Sequence, residues 1–323
     1  MINRRFAMFC RRLIQAASAA VIIAGLAIAQ QAASVPSSMH RQPLQDAWWT
    51  GPLLANSANT LPRGHFLVEP YIYDVIGPHT HALGSRAYVE YGLANRFTVG
   101  AIPIIGYNKV GNGTSSSGIQ LGDFSLLSQY RLTQFREHSW VPTTAIQVQQ
   151  AFPTGKYDQL GARPSDGLGS GSYATTLALN TQTYFWLPNG RILRMRLNVA
   201  ETLPSGVHVK DVSVYGTTYG FRGHAEPGRF LLIDAAWEYS VTRRWVFALD
   251  GIYQHSGNTV VRGTRNVSSV RLDSGSSWAY GFAPAVEYNM SANVGVIFGA
   301  RVIVPGQNTS FTVAPVMAIN IFH

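Results

Sequence analysis

Hydrophobic and polar residues alternate along many stretches of about ten residues in this chain. In the middle of the stretch Arg191–Glu201, one side carries apolar residues and the other polar ones: Leu193, Met195, Leu197 and Val199 against Arg194, Arg196 and Asn198. The same alternation recurs over 97–107, 229–240 and 277–289. Because successive side chains of a strand point to opposite faces, the pattern predicts strands with one apolar and one polar face.

Segments of this kind follow one another along most of the chain. They begin near residues 64, 84, 96, 119, 140, 172, 191, 229, 245, 277, 292 and 309. The connections between them alternate in length, with short ones at 92–95, 187–190, 241–244 and 289–291 and long ones at 108–118, 153–171, 202–228 and 256–276. A soluble β-sandwich would also alternate in polarity but has no reason to alternate loop length so regularly.

No apolar run after Ala29 is long enough for a transmembrane helix, so strands would have to form any membrane span. Only a closed barrel satisfies the backbone of strands in lipid. The sequence therefore predicts an all-β fold, a transmembrane antiparallel β-barrel of about 12 strands over residues 64–323. Its short turns would face the periplasm and its long loops the exterior.

Aromatic residues on the apolar faces gather at the two ends of the predicted strands. Beside the short connections lie Tyr91, Phe97, Tyr130, Trp140, Phe185, Tyr239, Trp245 and Tyr288, and near the long ones lie Tyr107, Tyr173, Tyr253, Trp278 and Phe311. Two such girdles are expected where a barrel meets the lipid headgroups on either side of a membrane.

The first 29 residues have the layout of a secretory signal peptide. Arginines between Arg4 and Arg12 precede an apolar run over 13–29, which ends in the small pair Ala27 and Ala29. A membrane anchor is the alternative, but a run of about 17 residues is short for a span. The only cysteine, Cys10, lies in this segment, so we expect a mature chain without disulfides or thiolate metal sites. Export together with a barrel predicts a bacterial outer-membrane location.

Residues 30–63 precede the first predicted strand as a periplasmic segment without clear alternation. They carry Trp48 and Trp49, two adjacent side chains that are costly to leave in water. Two placements would bury them, and the sequence leaves both open. The segment could lie inside the barrel as a plug that controls passage, or against the membrane-facing rim.

Charge argues against a nucleic-acid partner. Only 13% of the residues are charged, against roughly 25% in soluble domains. The formal charge of +9 falls to 25 − 4 − 16 = +5 without the four arginines of the signal peptide, and the charges are scattered singly. The expected partners are outer-membrane lipid, a small-molecule solute and the barrel-assembly machinery. That machinery recognises an aromatic last residue, whereas here Phe322 is penultimate and His323 is last. No cofactor is expected, and the oligomeric state stays open.

Charged residues on the polar faces would line the barrel interior. They are Arg86, Glu90, Asp123, Arg131, Arg194, Arg196, Asp234, Glu238, Asp250, Glu287 and Arg301. Such residues could form ion pairs that stiffen the wall or could select the solute. Arg194 and Arg196 are the best candidates for selectivity, because two guanidinium groups on one face would favour anions or ring faces.

Enzymatic motifs are weak. A lipid hydrolase needs its nucleophile and base on the same face, whereas His255 and Ser256 are adjacent and point to opposite faces of a strand. The pair His79 and His81 has no evident third metal ligand, and 153–156 lacks the glycine spacing of a phosphate loop. We therefore expect no catalytic, cofactor or metal site.

Several turns and strand ends carry a family resemblance. The motifs are Trp49–Leu53, Thr60–His65, Tyr91–Leu93 with Asn95–Phe97, Gly122–Asp123, Tyr130–Leu132 and Pro153–Tyr157. With these, most of the mature chain resembles the outer-membrane transporter-like family associated with the MetA pathway of phenol degradation. The resemblance implies an outer-membrane, porin-like channel for small solutes, aromatic or hydrophobic ones included, and supplies no catalytic residue. The alternatives are a structural or surface-interaction barrel with ligand-binding external loops and, less favoured, a lipid hydrolase.

Overall fold

The computed structural model describes residues 41–323, so the predicted signal peptide and Cys10 lie outside the described residues. The chain forms two compact units. The described part of the smaller one consists of Arg41, Gln42 and the turn Trp186–Arg191. Within it the Trp186 indole nitrogen donates a hydrogen bond of 2.8 Å to the Gln42 carbonyl, and the Arg41 guanidinium lies 3.7 Å from the Trp186 ring centroid.

The larger unit, 43–185 with 192–323, contains a closed antiparallel barrel of 12 strands, two of which are broken into two pieces. We call each of the 12, continuous or broken, a stave. Its first six staves are β1 (Phe66–Ile76), β2 (Thr80–Ala94), β3 with β4 (Phe97–Ile102 and Ile104–Val110), β5 with β6 (Gln120–Leu121 and Phe124–Thr133), β7 (Thr143–Phe152) and β8 (Ala174–Trp186). The other six are β9 (Ile192–Pro204), β12 (Phe230–Ser240), β13 (Trp245–Ser256), β16 (Ser277–Asn289), β17 (Val294–Gln307) and β18 (Thr312–Phe322). Pairing of β1 with both β2 and β18 closes the sheet.

The barrel confirms the fold predicted from alternation, and each predicted strand start lies within four residues of an observed one. The third stave is broken at Pro103, which has no N–H to donate to the ladder. The alternation of loop length is less regular than predicted. On the side of the long loops, β1–β2 and β17–β18 are joined by only 77–79 and 308–311, whereas 134–142 is the longest link on the other side.

The outer face of the barrel is apolar. Apolar side chains that point outward from the strands are well exposed, as at Ile72, Leu126, Leu197, Phe247 and Phe298, which keep 45–56% of their surface accessible. An apolar band of this extent is what a membrane-spanning barrel presents to lipid. Rings of the predicted girdles pair across strands, as Trp245 does with Tyr288 at 4.7 Å between centroids. In residues 41–323, no helix is long and apolar enough to cross a membrane.

A second sheet occupies two segments that the sequence predicts as loops. It consists of β10 (Val207–Lys210), β11 (Phe221–Glu226), β14 (Val260–Arg265) and β15 (Ser268–Asp273), paired in that order. These strands extend β9, β12, β13 and β16, which are neighbours in the barrel wall. The predicted loops 202–228 and 256–276 are thus largely an ordered extension of the wall.

Candidate functional site

The barrel interior is the candidate site, and ten of the eleven predicted interior charges lie on barrel strands at inward-facing positions. They are distributed as Arg86 and Glu90 on β2, Arg131 on β6, Arg194 and Arg196 on β9, Asp234 and Glu238 on β12, Asp250 on β13, Glu287 on β16 and Arg301 on β17. Arg131 lies at the end of its strand, where its guanidinium donates to the Asn95 carbonyl at 3.1 Å. Asp123 lies on neither strand of the fourth stave but in the short break between β5 and β6.

Two arginines and one glutamate form a buried ion cluster on β9 and β12. The Arg194 guanidinium donates twice to the Glu238 carboxylate, through Nη2 and through Nε at 2.6 Å. Arg196 Nε lies 3.0 Å from the same carboxylate, whose side chain is fully buried. Because two guanidinium groups share one carboxylate, the arginines predicted to select the solute are already engaged with the wall.

Buried carboxylates on β13 and β16 bind the backbone of the segment that precedes β1. The Asp250 carboxylate accepts hydrogen bonds of 3.1 Å from the N–H groups of both Leu53 and Ala55. The Glu287 carboxylate accepts from Thr50 N–H at 2.7 Å and Gly51 N–H at 3.1 Å. A carboxyl group that accepts two backbone N–H groups fixes the course of the chain, because a buried N–H left without an acceptor is costly.

Amide side chains hold the same segment on the opposite wall. Gln182 Oε1 accepts from the Ala58 N–H at 3.2 Å, and Gln129 donates to the carbonyl of Asn59 at 2.9 Å. Asn198 donates to the carbonyl of Asn56 at 3.2 Å. Inward-facing side chains from eight strands hydrogen-bond residues 50–61: Thr98, Gln129, Gln147, Gln182, Arg196, Asn198, Asp250, Glu287, Asn289 and Asn320. We call residues 43–61 the inner segment.

Packing complements these hydrogen bonds. Leu53 is 4% exposed and packs against inward-facing alanines and one isoleucine: Ala248, Ala283, Ala285, Ala318 and Ile297. Small wall residues leave room for it. Gly51 adopts φ +122°, a conformation that residues with a side chain rarely take, and Gly295 lies where a Cβ would stand 2.0 Å from Thr50 Oγ1.

The two adjacent tryptophans lie beside arginines. The Trp49 ring centroid is 4.5 Å from the Arg194 guanidinium carbon, and the Trp48 centroid is 4.6 Å from that of Arg243. Trp48 N–H also donates to the Arg243 carbonyl at 3.2 Å. Cation–π contacts of this kind stabilise a ring that is partly withdrawn from water. The ring face that Arg194 was predicted to attract is therefore one of the chain's own.

Tyrosines line another part of the interior wall, on β1 and β2. Tyr71 and Tyr88 stand edge to face with ring centroids 5.9 Å apart. Tyr71 is paired directly with Arg86 across the two strands, and the Tyr73 ring lies over Gly84, where a Cβ would meet it at 2.5 Å. Aromatic rings beside a guanidinium form a wall suited to flat, weakly polar molecules.

External loops are joined to the barrel through two carboxylates. Asp123 accepts hydrogen bonds from Gly155 N–H at 3.0 Å and from Ser170 N–H at 2.7 Å. Asp166 accepts from Ser117 N–H at 2.7 Å and from its hydroxyl at 3.0 Å. The backbone hydrogen bond from Ser117 lowers the pKa of Asp166 below the ordinary 3.8. These contacts hold the loops 111–119 and 153–173 together.

The candidates for a catalytic pair and for a metal site lie on β13 and at the start of β2. His255 lies opposite Leu231 and Trp278 on the outward-facing side of β13, and Ser256 is the next residue along that strand. His81 Nδ1 lies 2.9 Å from Asp74 Oδ2. In the described part of the chain, no three His, Cys, Asp or Glu side chains are grouped so that they could hold a metal ion.

Sequence reasoning missed the amides that contact the inner segment. Asn180 links two of them, since its Nδ2 donates at 2.8 Å to Gln129 and at 2.9 Å to Gln147. Each lies on the polar face of a predicted strand, so the alternation predicts that its side chain points into the barrel. Nothing in one sequence distinguishes an amide that binds another segment from one that faces water.

Comparison with known proteins finds no matching family model and no matching curated protein. Solved structures do match. An outer membrane channel from Pseudomonas putida F1 superposes with a TM-score of 0.61 at 12% identity, covering 84% of this chain and 100% of that one. The NanC porin gives a TM-score of 0.45 at 12% identity over 79% of this chain and 98% of its own. The monoaromatic hydrocarbon channel CymD gives 0.46 at 10% identity over 81% and 88%. The first likeness supports the barrel fold.

Proposed function

We propose that this chain is a bacterial outer-membrane channel for small solutes, including aromatic ones, whose passage is controlled by the inner segment. The observation that carries the proposal is the contact of residues 50–61 with inward-facing side chains of eight barrel strands. A barrel of about twelve strands lies between those filled by side chains and those with an open aqueous channel. A segment bound across such an interior obstructs it and sets the width of the remaining path.

The wall charges then divide into two groups with different roles. Arg194, Arg196 and Glu238 are paired with one another and, together with Asp250 and Glu287, hold the inner segment, since Arg196 Nη1 also donates to the Ala55 carbonyl at 2.7 Å. Arg86 and Arg301 remain on the wall near the tyrosines and act on the solute. We assign selectivity to this second group, because polar side chains that line a pore determine which solutes pass.

Tyr71, Tyr73 and Tyr88, which we call the tyrosine wall, support an aromatic solute class, in agreement with the family resemblance. Rings offer edge-to-face contacts to another ring, and each such pair contributes about 0.5–1.5 kcal/mol beyond area burial. A guanidinium beside them would favour rings that carry an acidic group.

This solute class is tested by channel block in planar bilayers, with 4-hydroxybenzoate as the probe. The aromatic anion should reduce the potassium chloride current in a concentration-dependent way. Tyr88→Ala should weaken the block several-fold, because it removes a ring from the interior wall. Tyr91→Ala, which removes an outward-facing ring that is 46% exposed, is the matched control and should leave the block unchanged. Equal block in all three proteins would exclude the tyrosine wall as the solute site.

A further inference from the structure

The sheet formed by β10, β11, β14 and β15 has one strongly basic face. One row of directly paired residues crosses all four strands, and a second row lies beside it. They are His208, His224, Arg262 and Arg271 in the first and Lys210, Arg222, Thr264 and Ser269 in the second. We call the face formed by His208, Lys210, Arg222, His224, Arg262 and Arg271 the basic face. Five of these residues border a shallow recess of about 610 Å³: His208, Lys210, Arg222, His224 and Arg262.

The opposite face of this sheet is covered by the protein itself. Val209, Phe221 and Val261 are at most 2% exposed and pack with Tyr157 and Tyr215 from neighbouring loops. The Phe221 ring also covers two glycines that face each other across β11 and β14, each of which would place a Cβ 2.7 Å from that ring. The sheet is therefore anchored on its apolar side. Arg265, paired with Phe221, is the one charged residue of these strands on that side, and the others belong to the side that remains open.

The basic face points away from the barrel axis, on the lipid side of the wall. Leu231, paired directly with both Glu201 and His255, lies on the outer face of the barrel. These three residues line one recess of about 540 Å³ together with Glu226 and Val260, which lie on the same side of the sheet as the basic residues. The outer surface of the barrel thus continues into the basic face, beyond the end of the lipid-contacting strands.

Charge on this face is unbalanced, because Lys210 and three arginines share it with only two carboxylates, Glu226 and Asp273. Among the described residues, its only ion pair within 4.0 Å joins Arg271 to Asp273, at 2.8 Å and at the edge nearest the barrel. Lys210, Arg222 and Arg262 are exposed and lie within three adjacent strands. Guanidinium groups bind phosphate in a bidentate way and lysine adds a point charge, so three such groups around one recess fit a multivalent phosphate ligand.

We propose that the basic face binds the phosphate groups of glycolipids in the outer leaflet of the membrane. A surface that continues the lipid-facing wall beyond the apolar band lies at the level of lipid headgroups, so the headgroup is the anion that this face meets first. Several cations near an anionic membrane surface add their attraction to it. The inference rests on the membrane placement proposed above, and it does not depend on conduction.

Native mass spectrometry of the full-length mature protein in detergent can test this with a bis-phosphorylated lipid A as the probe. The variant with Lys210→Gln, Arg222→Gln and Arg262→Gln should bind the probe at least tenfold more weakly than the unsubstituted protein. The matched control carries Arg96→Gln, Arg136→Gln and Arg244→Gln, three exposed charges from links at the other end of the barrel, and should bind like the unsubstituted protein. Binding by the unsubstituted protein should weaken as salt is added, which tests the charge contribution without any variant.

Equal affinities of the two triple variants, or equal binding of lipid A from which both phosphates have been removed, would overturn the proposal. Inorganic pyrophosphate that binds as tightly as the glycolipid would identify a soluble anion as the ligand and would also overturn it. Channel conductance should be the same in both triple variants. A failure of lipid binding is therefore distinguishable from a failure of the proposed channel function.

Discussion

At the scale of single residues, each strand position is defined by the face to which it belongs. Leu197 is the sixth residue of the 13-residue strand β9 and is 45% exposed on the apolar side. Its neighbour Arg196 is buried in the interior and bonds the inner segment. Adjacent residues of one strand therefore face different surroundings: an apolar side chain points to the lipid, and a charged one points to the protein interior.

Leu197→Arg should destabilise the barrel by roughly 2–4 kcal/mol, because it places a charge against lipid near mid-wall. Thr176→Arg, at a half-buried inward-facing position of β8, should cost much less, since the interior already holds arginines. Folding titrations in lipid vesicles measure both. Equal losses would contradict the assignment of the two faces.

Glu238→Gln should also destabilise the protein, through the ion cluster. The substitution keeps the size of the side chain but leaves two buried guanidinium groups without their carboxylate, which costs about 3–5 kcal/mol. Glu226→Gln, at an exposed carboxylate, serves as the control and should stay within about 0.5 kcal/mol. Urea unfolding followed by tryptophan fluorescence gives both values, and coincident midpoints would show that the cluster carries no such energy.

At the scale of elements, the twelve staves could be predicted because each is long and has one apolar face. The short strands β10 and β11 could not be predicted. They have only four and six residues, too few for the alternation to stand out from the loop sequence on either side. The inner segment escapes a sequence-based assignment for another reason. Its N–H groups at Thr50, Leu53 and Ala55 bond side chains distant in sequence in place of a strand ladder, so no period marks it.

The external loops should loosen at low pH through Asp166. A carboxyl whose folded pKa is depressed stabilises the folded state fully above its ordinary pKa of 3.8, and this contribution is lost as the pH falls through the lower folded value. Protection of the Ser117 amide from hydrogen exchange, corrected for intrinsic rates, should therefore decrease below about pH 4. Asp166→Asn should show low protection that varies little with pH. A pH-dependent loss of protection of the same size in that variant would assign the effect to another group.

At the scale of the whole molecule, the inner segment fills part of the barrel interior and is hydrogen-bonded to the barrel wall. The segment contacts β13 and β16 through carboxylates and β6 to β9 largely through amides, so it crosses the interior from one wall to the other. Release of this segment would clear the path while the backbone ladder of the barrel remains closed.

Single-channel conductance in planar bilayers, compared between the mature protein and a deletion of residues 43–60, tests the central claim most directly. Retention of the barrel in the deletion is checked beforehand by heat-modifiable gel mobility and by β-type circular dichroism. The account predicts a small conductance for the mature protein and a several-fold larger one for the deletion. The same conductance in both folded proteins would contradict the claim that the inner segment controls passage.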